Sequence, residues 1–174
     1  MKKLTKTFVA GSIVLGTALG VSVSTDNVSS HQAHAASSQY WYKYNGYTAS
    51  GGNFLLSQSF YNGLKADNLE FNGVKVSGKY QAPTNSKVIY DQTFQQYKNH
   101  KASNVDIKVK PNSISLKQVK QKYGNNYDYQ NPLTGPAKKK GDGIYSYQVG
   151  KGHIAFAIEN GYVTKANVSK TSYS

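Results

Sequence analysis

Asn-Gly is the dipeptide most closely tied to a two-residue β-hairpin, because both residues tolerate the positive φ of a type I′ turn. It occurs four times in this chain, at Asn45-Gly46, Asn62-Gly63, Asn72-Gly73 and Asn160-Gly161. That punctuation constrains the fold toward short antiparallel strands. Around Asn72-Gly73 the register reads directly: Phe71 meets Val74 and Leu69 meets Val76 on one face, while Glu70 meets Lys75 on the other as an opposite-charge pair. Asn160-Gly161 places Ile158 across from Val163, between runs Ile154–Glu159 and Tyr162–Val168. Asn45-Gly46 is expected to join Tyr40–Tyr44 to a strand from Tyr47 onward. Asn62-Gly63 fits either a turn or a short helix capped by Ser57, with the helix favoured.

Further strands follow from alternation. Val105, Ile107 and Val109 alternate with Asp106, Lys108 and Lys110, and Tyr145, Tyr147 and Val149 alternate with Ile144, Ser146 and Gln148. One more strand is expected over Val88–Phe94. A helix is predicted over 116–123, where Ser115 and Gln118 form a capping box, Leu116, Val119 and Tyr123 make an inward stripe, and Gly124 ends it. Residues 125–143, rich in Asn, Gly and Pro, read as one long loop. The expected class is α+β: a small antiparallel sheet of hairpins with one or two short helices packed on one face.

Residues 1–35 read as a cleaved secretory signal: Lys2, Lys3 and Lys6, an apolar run from Phe8 to Val23, then Ala33-His34-Ala35 as a cleavage site. That run is shorter than the ~20 residues a membrane span needs, so no stable membrane insertion is expected. Residues 36–174 then form a single secreted domain, held at a cell surface, if at all, by charge. The C-terminus shows neither an apolar tail nor a wall-sorting motif. With no cysteine in a secreted chain, the expected source is a bacterium with one membrane.

Cysteine is absent, which excludes disulfides, thiolate metal sites and a Cys nucleophile. His100 and His153 stand apart in the mature chain and read as surface residues. The acidic residues are scattered, and no nucleotide-loop, esterase or metalloprotease motif occurs. The expectation is a protein that is not an enzyme and takes no metal or cofactor.

What remains is charge. All 21 basic residues are lysine, and 18 of them face 7 acidic residues after residue 35, a net of +11. Lysine neutralises phosphates, and exposed Tyr or Trp stacks on bases of any sequence. Without arginine, the usual forked contact to guanine is missing, so little sequence should be read. An AT-rich genome would also favour lysine. The candidate contacts are Lys108, Lys110, Lys117, Lys120, Lys122, Lys138, Lys139 and Lys140, with Tyr40, Trp41 and Tyr42 for stacking. Each has a plainer reading: packing for the rings of Tyr40–Tyr44, a solvated loop for Lys138–Lys140, a strand's solvent face for Lys108 and Lys110. The expected partners are extracellular DNA and RNA. The alternative is an adhesion or wall module for other polyanions, such as teichoic acid or heparin-like glycans.

Tyr44-Asn45-Gly46-Tyr47, Phe71-Asn72-Gly73-Val74-Lys75, Tyr90-Asp91-Gln92-Thr93-Phe94 and the helix from Ile114-Ser115-Leu116-Lys117 through Lys122-Tyr123-Gly124 resemble the immunodominant staphylococcal antigen B family. Gly143-Ile144-Tyr145 and Tyr147-Gln148 add to the match, which runs in order over nearly the whole chain. Residues 48–53 and 125–142 depart most, so Lys138–Lys140 falls outside the shared pattern. The resemblance implies a secreted, surface-associated staphylococcal protein that binds extracellular nucleic acid without catalysis or sequence preference, with links to virulence and biofilm. It supplies no binding-residue motif.

Overall fold

The computed structural model describes residues 41–77, 85–133 and 135–169. The leader read at 1–35 and the stacking candidate Tyr40 lie outside the described residues. Two sheets and two helices share one apolar core, in keeping with the α+β expectation. The chain order is β1 (Tyr42–Tyr44), a 3-10 turn (Asn53–Leu56), α1 (Gln58–Ala66), β2 (Leu69–Phe71), β3 (Val74–Val76), β4 (Ser86–Ile89) and β5 (Gln92–Gln95). It continues with β6 (Lys101–Ala102), β7 (Asn104–Lys108), α2 (Leu116–Tyr123), β8 (Asp128–Gln130), β9 (Gly143–Val149), β10 (Gly152–Glu159) and β11 (Tyr162–Ser169).

The larger sheet is antiparallel, in the order β4-β5-β7-β11-β10-β9-β8; the smaller runs β1-β2-β3-β6. The β2–β3 hairpin has the register its sequence dictates, Leu69 with Val76 and Phe71 with Val74. Ile158 likewise faces Val163 in the β10–β11 hairpin. Helix α2 carries both halves of its capping box, and Gly124 closes it at φ 92°.

Four expectations need correction. Asn45-Gly46 does not turn a hairpin: β1 pairs in parallel with β2, and α1 makes the crossover that a parallel pair requires. The Asn72 side chain takes up the polar groups of that corner, accepting from Gly46 N at 2.6 Å and donating to Gly46 O at 3.2 Å. Val88–Phe94 is a tight hairpin of β4 and β5, turned at Tyr90-Asp91 with Tyr90 at φ 55°. Residues 125–143 are not all loop, because β8 adds an edge strand against β9. His153 is not a surface residue; it is buried in β10.

The core fixes the two faces of the large sheet. Tyr145, Tyr147, Ile154, Phe156, Val105 and Ile107 point into it. Helix α2 closes that side, its Tyr123 ring 5.1 Å from Phe156 and 5.3 Å from Tyr147. Ile144, Ser146 and Ala157 therefore project from the opposite face. A bulge at Thr164 interrupts the β10–β11 register between Ala157 and Ile158. It shifts the alternation by one, so Val163 enters the core while Lys165 joins the opposite face.

Gly63 is the tightest backbone approach in α1. A β-carbon there would lie 2.5 Å from Tyr42 Cβ and 2.9 Å from Leu69 Cδ2. Alanine would gain about 1 kcal/mol of helix propensity, but overpacking β1 and β2 costs about 1–3 kcal/mol or more. Gly63→Ala is thus expected to lower stability in urea unfolding; a rise would show that α1 sits farther from β1.

Candidate nucleic-acid interface

The site is built on a buried acid in a basic loop. Asp142 is 1% exposed. Its carboxylate accepts from Lys139 N and Asn160 N through Oδ2 and from Gly161 N through Oδ1, each at 3.0 Å. Burial alone would raise its pKa. The bonds from Asn160, Gly161 and Lys139, with the Lys139 charge, outweigh that and hold it below the usual carboxylate range.

The same turn anchors α2, since Leu116 N donates to Gly161 O at 2.9 Å. Two tyrosines bind the loop from below, Tyr145 to Gly141 O and Tyr129 to Asp142 O, both at 2.8 Å. Lys138, Lys139 and Lys140 are thereby gathered beside the start of α2. Lys117 and Lys120, one helical turn apart, flank a shallow hollow with Gln121 and Asn125.

A row of tyrosine rings runs beneath these lysines. Successive centroids are 5.7 Å apart from Tyr61 to Tyr123, 5.3 Å to Tyr147, 5.8 Å to Tyr127, 4.9 Å to Tyr145 and 5.3 Å to Tyr129. The Lys120 ammonium donates to Tyr127 Oη at 2.9 Å and lies 4.6 Å over the Tyr127 ring and 5.1 Å over Tyr145. At the far end, Lys122 sits 5.1 Å over Tyr61 and donates to Gln58. Tyr145 and Tyr147 are buried and serve packing, whereas Tyr129 is 45% exposed.

Burial pushes the Tyr147 phenol up to about 12, with Tyr127 and Tyr145 adding to it. Burial, then Tyr61 and Tyr147, drives Tyr123 higher still; its hydroxyl donates to Leu55 O at 2.5 Å.

The other sequence candidates fall elsewhere. Lys108 lies on the opposite face of the large sheet, directly across from Lys165. Lys110 is exposed just past β7, its backbone N bound to Gly51 O. Trp41 sits on the small sheet with Lys75 Nζ 5.0 Å over its ring, beside a Lys43–Glu70 ion pair at 3.4 Å. The Tyr42 ring stacks on Phe54 and meets Phe60 edge-on, so it is engaged in packing. Glu70 stands opposite Lys75 as expected, but its ion pair is with Lys43.

His153 Nδ1 lies 3.3 Å from Ser169 Oγ, and burial lowers its pKa although Asp128 works the other way. Among the described residues no group of three or more His, Asp or Glu is placed to hold a metal. Sequence reasoning missed Asp142, although the zone from Lys117 to Lys140 with Tyr123, Tyr127 and Tyr129 could be read as a mix of charge and aromatic rings. A lone acid flanked by glycines immediately after three lysines was the signal available for Asp142.

The family model for immunodominant staphylococcal antigen B matches residues 41–168. Proteins of that name from Staphylococcus aureus strains USA300 and NCTC 8325 / PS 47 are 37% identical over 179 residues, covering 99% of this chain and 98% of theirs. The family takes its name from an antigen, not from an enzymatic activity. A DUF4309 family protein from Bacillus subtilis aligns with TM-score 0.32 and 13% identity over 57% of this chain and 66% of its own, too distant to bear on the site.

Asp142→Asn removes the charge from three backbone contacts and is expected to cost about 2–4 kcal/mol at neutral pH in urea unfolding. Because the native pKa is depressed, the Asp142 contribution is present above the ordinary carboxylate range and is lost as pH falls through the native value. The variant should therefore lose less stability on acidification than the parent; parallel acid profiles would show that Asp142 is no anchor.

The raised tyrosines give the opposite limb. Their contribution is complete below about pH 10 and fades as pH climbs through the higher native values. Tyrosinate absorbance is expected to show Tyr123 and Tyr147 ionising after the exposed rings, together with alkaline unfolding. Ionisation of every tyrosine near pH 10 in the intact fold would contradict this packing.

Proposed function

The chain belongs to the immunodominant staphylococcal antigen B family, and from that premise we propose that it is an exported, non-enzymatic protein that binds extracellular DNA and RNA without regard to base sequence. The carrying observation is the gathering of Lys117, Lys120, Lys138, Lys139 and Lys140 around the turn held by Asp142. Two acids stand at this cluster. Asp142 is buried and occupied by backbone N–H groups, and Glu159 pairs with Lys138 at 3.4 Å. Of the other lysines, Lys117, Lys139 and Lys140 are exposed and favour a polyanion, while Lys120 is half-buried against the Tyr127 and Tyr145 rings.

Lysine suits backbone binding. It is a compact, flexible point charge, so it engages phosphates while reading few base edges. The exposed Tyr129 and the half-buried Tyr127 and Tyr61 add aromatic surface for unpaired bases, which is likewise indifferent to sequence. Attraction of this kind works through counterion release and is steeply weakened by salt.

Fluorescence anisotropy on scrambled oligonucleotides across a salt series tests the reading. The parent should bind different sequences alike. Replacing Lys117, Lys120, Lys139 and Lys140 together by Gln should flatten the log–log salt slope by about 3–4 on duplex DNA, at ~0.9 for each phosphate no longer neutralised. An unchanged slope, strong preference for one sequence, or displacement by heparin at far lower charge equivalents than DNA would count against it.

A further inference from the structure

The face of the large sheet turned away from α2 carries a groove of about 520 Å³, within the ~300–1,000 Å³ range of small-molecule sites. Its floor is made of small side chains, Ala155 and Ala157, between the apolar wall of Ile144 and the 83% exposed Leu133. At one end Lys108 and Lys165 lie directly opposite each other on β7 and β11. Like charges in that register repel, and among the described residues neither lysine has an ion pair. The bulge at Thr164 is what turns Lys165 to this face.

Beside the lysines, Asn167 Nδ2 donates to Asp106 Oδ1 at 2.7 Å, while its buried Oδ1 has no hydrogen-bond partner. A repelling cationic pair, an unanswered acceptor and an apolar trough thus share one concavity. The cationic pair and the bare apolar trough each cost stability in the free protein, and a single amphipathic anion relieves both; Asn167 Oδ1 is itself an acceptor and gains nothing from a carboxylate.

We propose that this groove binds a small amphipathic carboxylate. Its anionic head bridges Lys108 and Lys165, and its apolar body lies over Ala155 and Ala157 against Ile144 and Leu133. A nucleotide fits less well: the trough is largely apolar, and Asp91 and Asp106 in its lining disfavour a second negative group. The site is distinct from the lysine cluster at α2, since the sheet separates them, and it stands or falls independently of the nucleic-acid reading.

The probe is 1-anilinonaphthalene-8-sulfonate, an anionic head on an apolar body, followed by its fluorescence with octanoate as competitor. Saturable binding at one site and displacement by octanoate are expected. Ala157→Leu fills the floor, and Lys165→Glu places a carboxylate opposite Lys108; each should weaken binding about tenfold or more. Lys165→Glu should also keep or raise the thermal midpoint, because it replaces repulsion with an ion pair, so lost binding is not lost folding. DNA binding by both variants should match the parent. Equal probe binding by parent and variants, failure of octanoate to compete, or competition by AMP but not octanoate would overturn the proposal. So would a dimer in sedimentation that Lys165→Glu dissociates, which would put a second copy of the chain on this face.

Discussion

A carboxylate that accepts three backbone N–H groups is both a fold device and a charge device. Asp142 sits where loop 131–142, the Asn160-Gly161 turn and the start of α2 meet. Those three segments bring lysines from distant parts of the chain. Left to repulsion, Lys138, Lys139 and Lys140 would swing away from Lys117 and Lys120. A buried negative charge, bound through backbone rather than side chains, holds them together without taking up their ammonium groups in hydrogen bonds. The tyrosine row below gives that cluster a stiff support, because its inner rings belong to the core and its outer rings hydrogen-bond to the loop.

The large sheet divides the molecule's chemistry. On the α2 side it presents cationic charge over aromatic rings. On the other side lie Asp91, Asp106 and Asp128 with Lys108 and Lys165, a mixed field around an apolar trough. A protein with net charge this positive would attract polyanions anywhere if its charges were spread evenly. Here four of the seven acids after residue 35 stay away from the α2 side: Asp91, Asp106 and Asp128 on the opposite face of the large sheet and Glu70 on the small sheet.

Local rules made much of this readable. Asn72-Gly73 and Asn160-Gly161 fixed two hairpins because turn chemistry and cross-strand pairing agreed. Ser115 and Gln118 fixed α2 because its cap lies wholly within the segment. Asn45-Gly46 misled because Asn72, 26 residues away, captures that corner and leaves β1 for β2. The Tyr90 turn was hidden because Tyr seldom takes positive φ. The candidate site was half legible. Lysine runs on one loop and one helix could be seen, but which face of the sheet α2 covers is a tertiary fact, and it separates Lys108 from Lys117 and Lys120. The bulge at Thr164, which redirects Lys165, leaves no mark in a Tyr162–Val168 run that is merely irregular.

Amide NMR of the isotopically labelled protein, titrated with a short single-stranded DNA of scrambled sequence at low salt, addresses the central claim most directly. Shift changes should concentrate at Lys117, Lys120, Tyr127, Tyr129 and Lys138–Lys140 and leave Lys108, Lys165 and Ala157 unmoved. Changes centred on the groove face or on Trp41 and Lys75, or no changes at any residue, would contradict a nucleic-acid surface organised by Asp142.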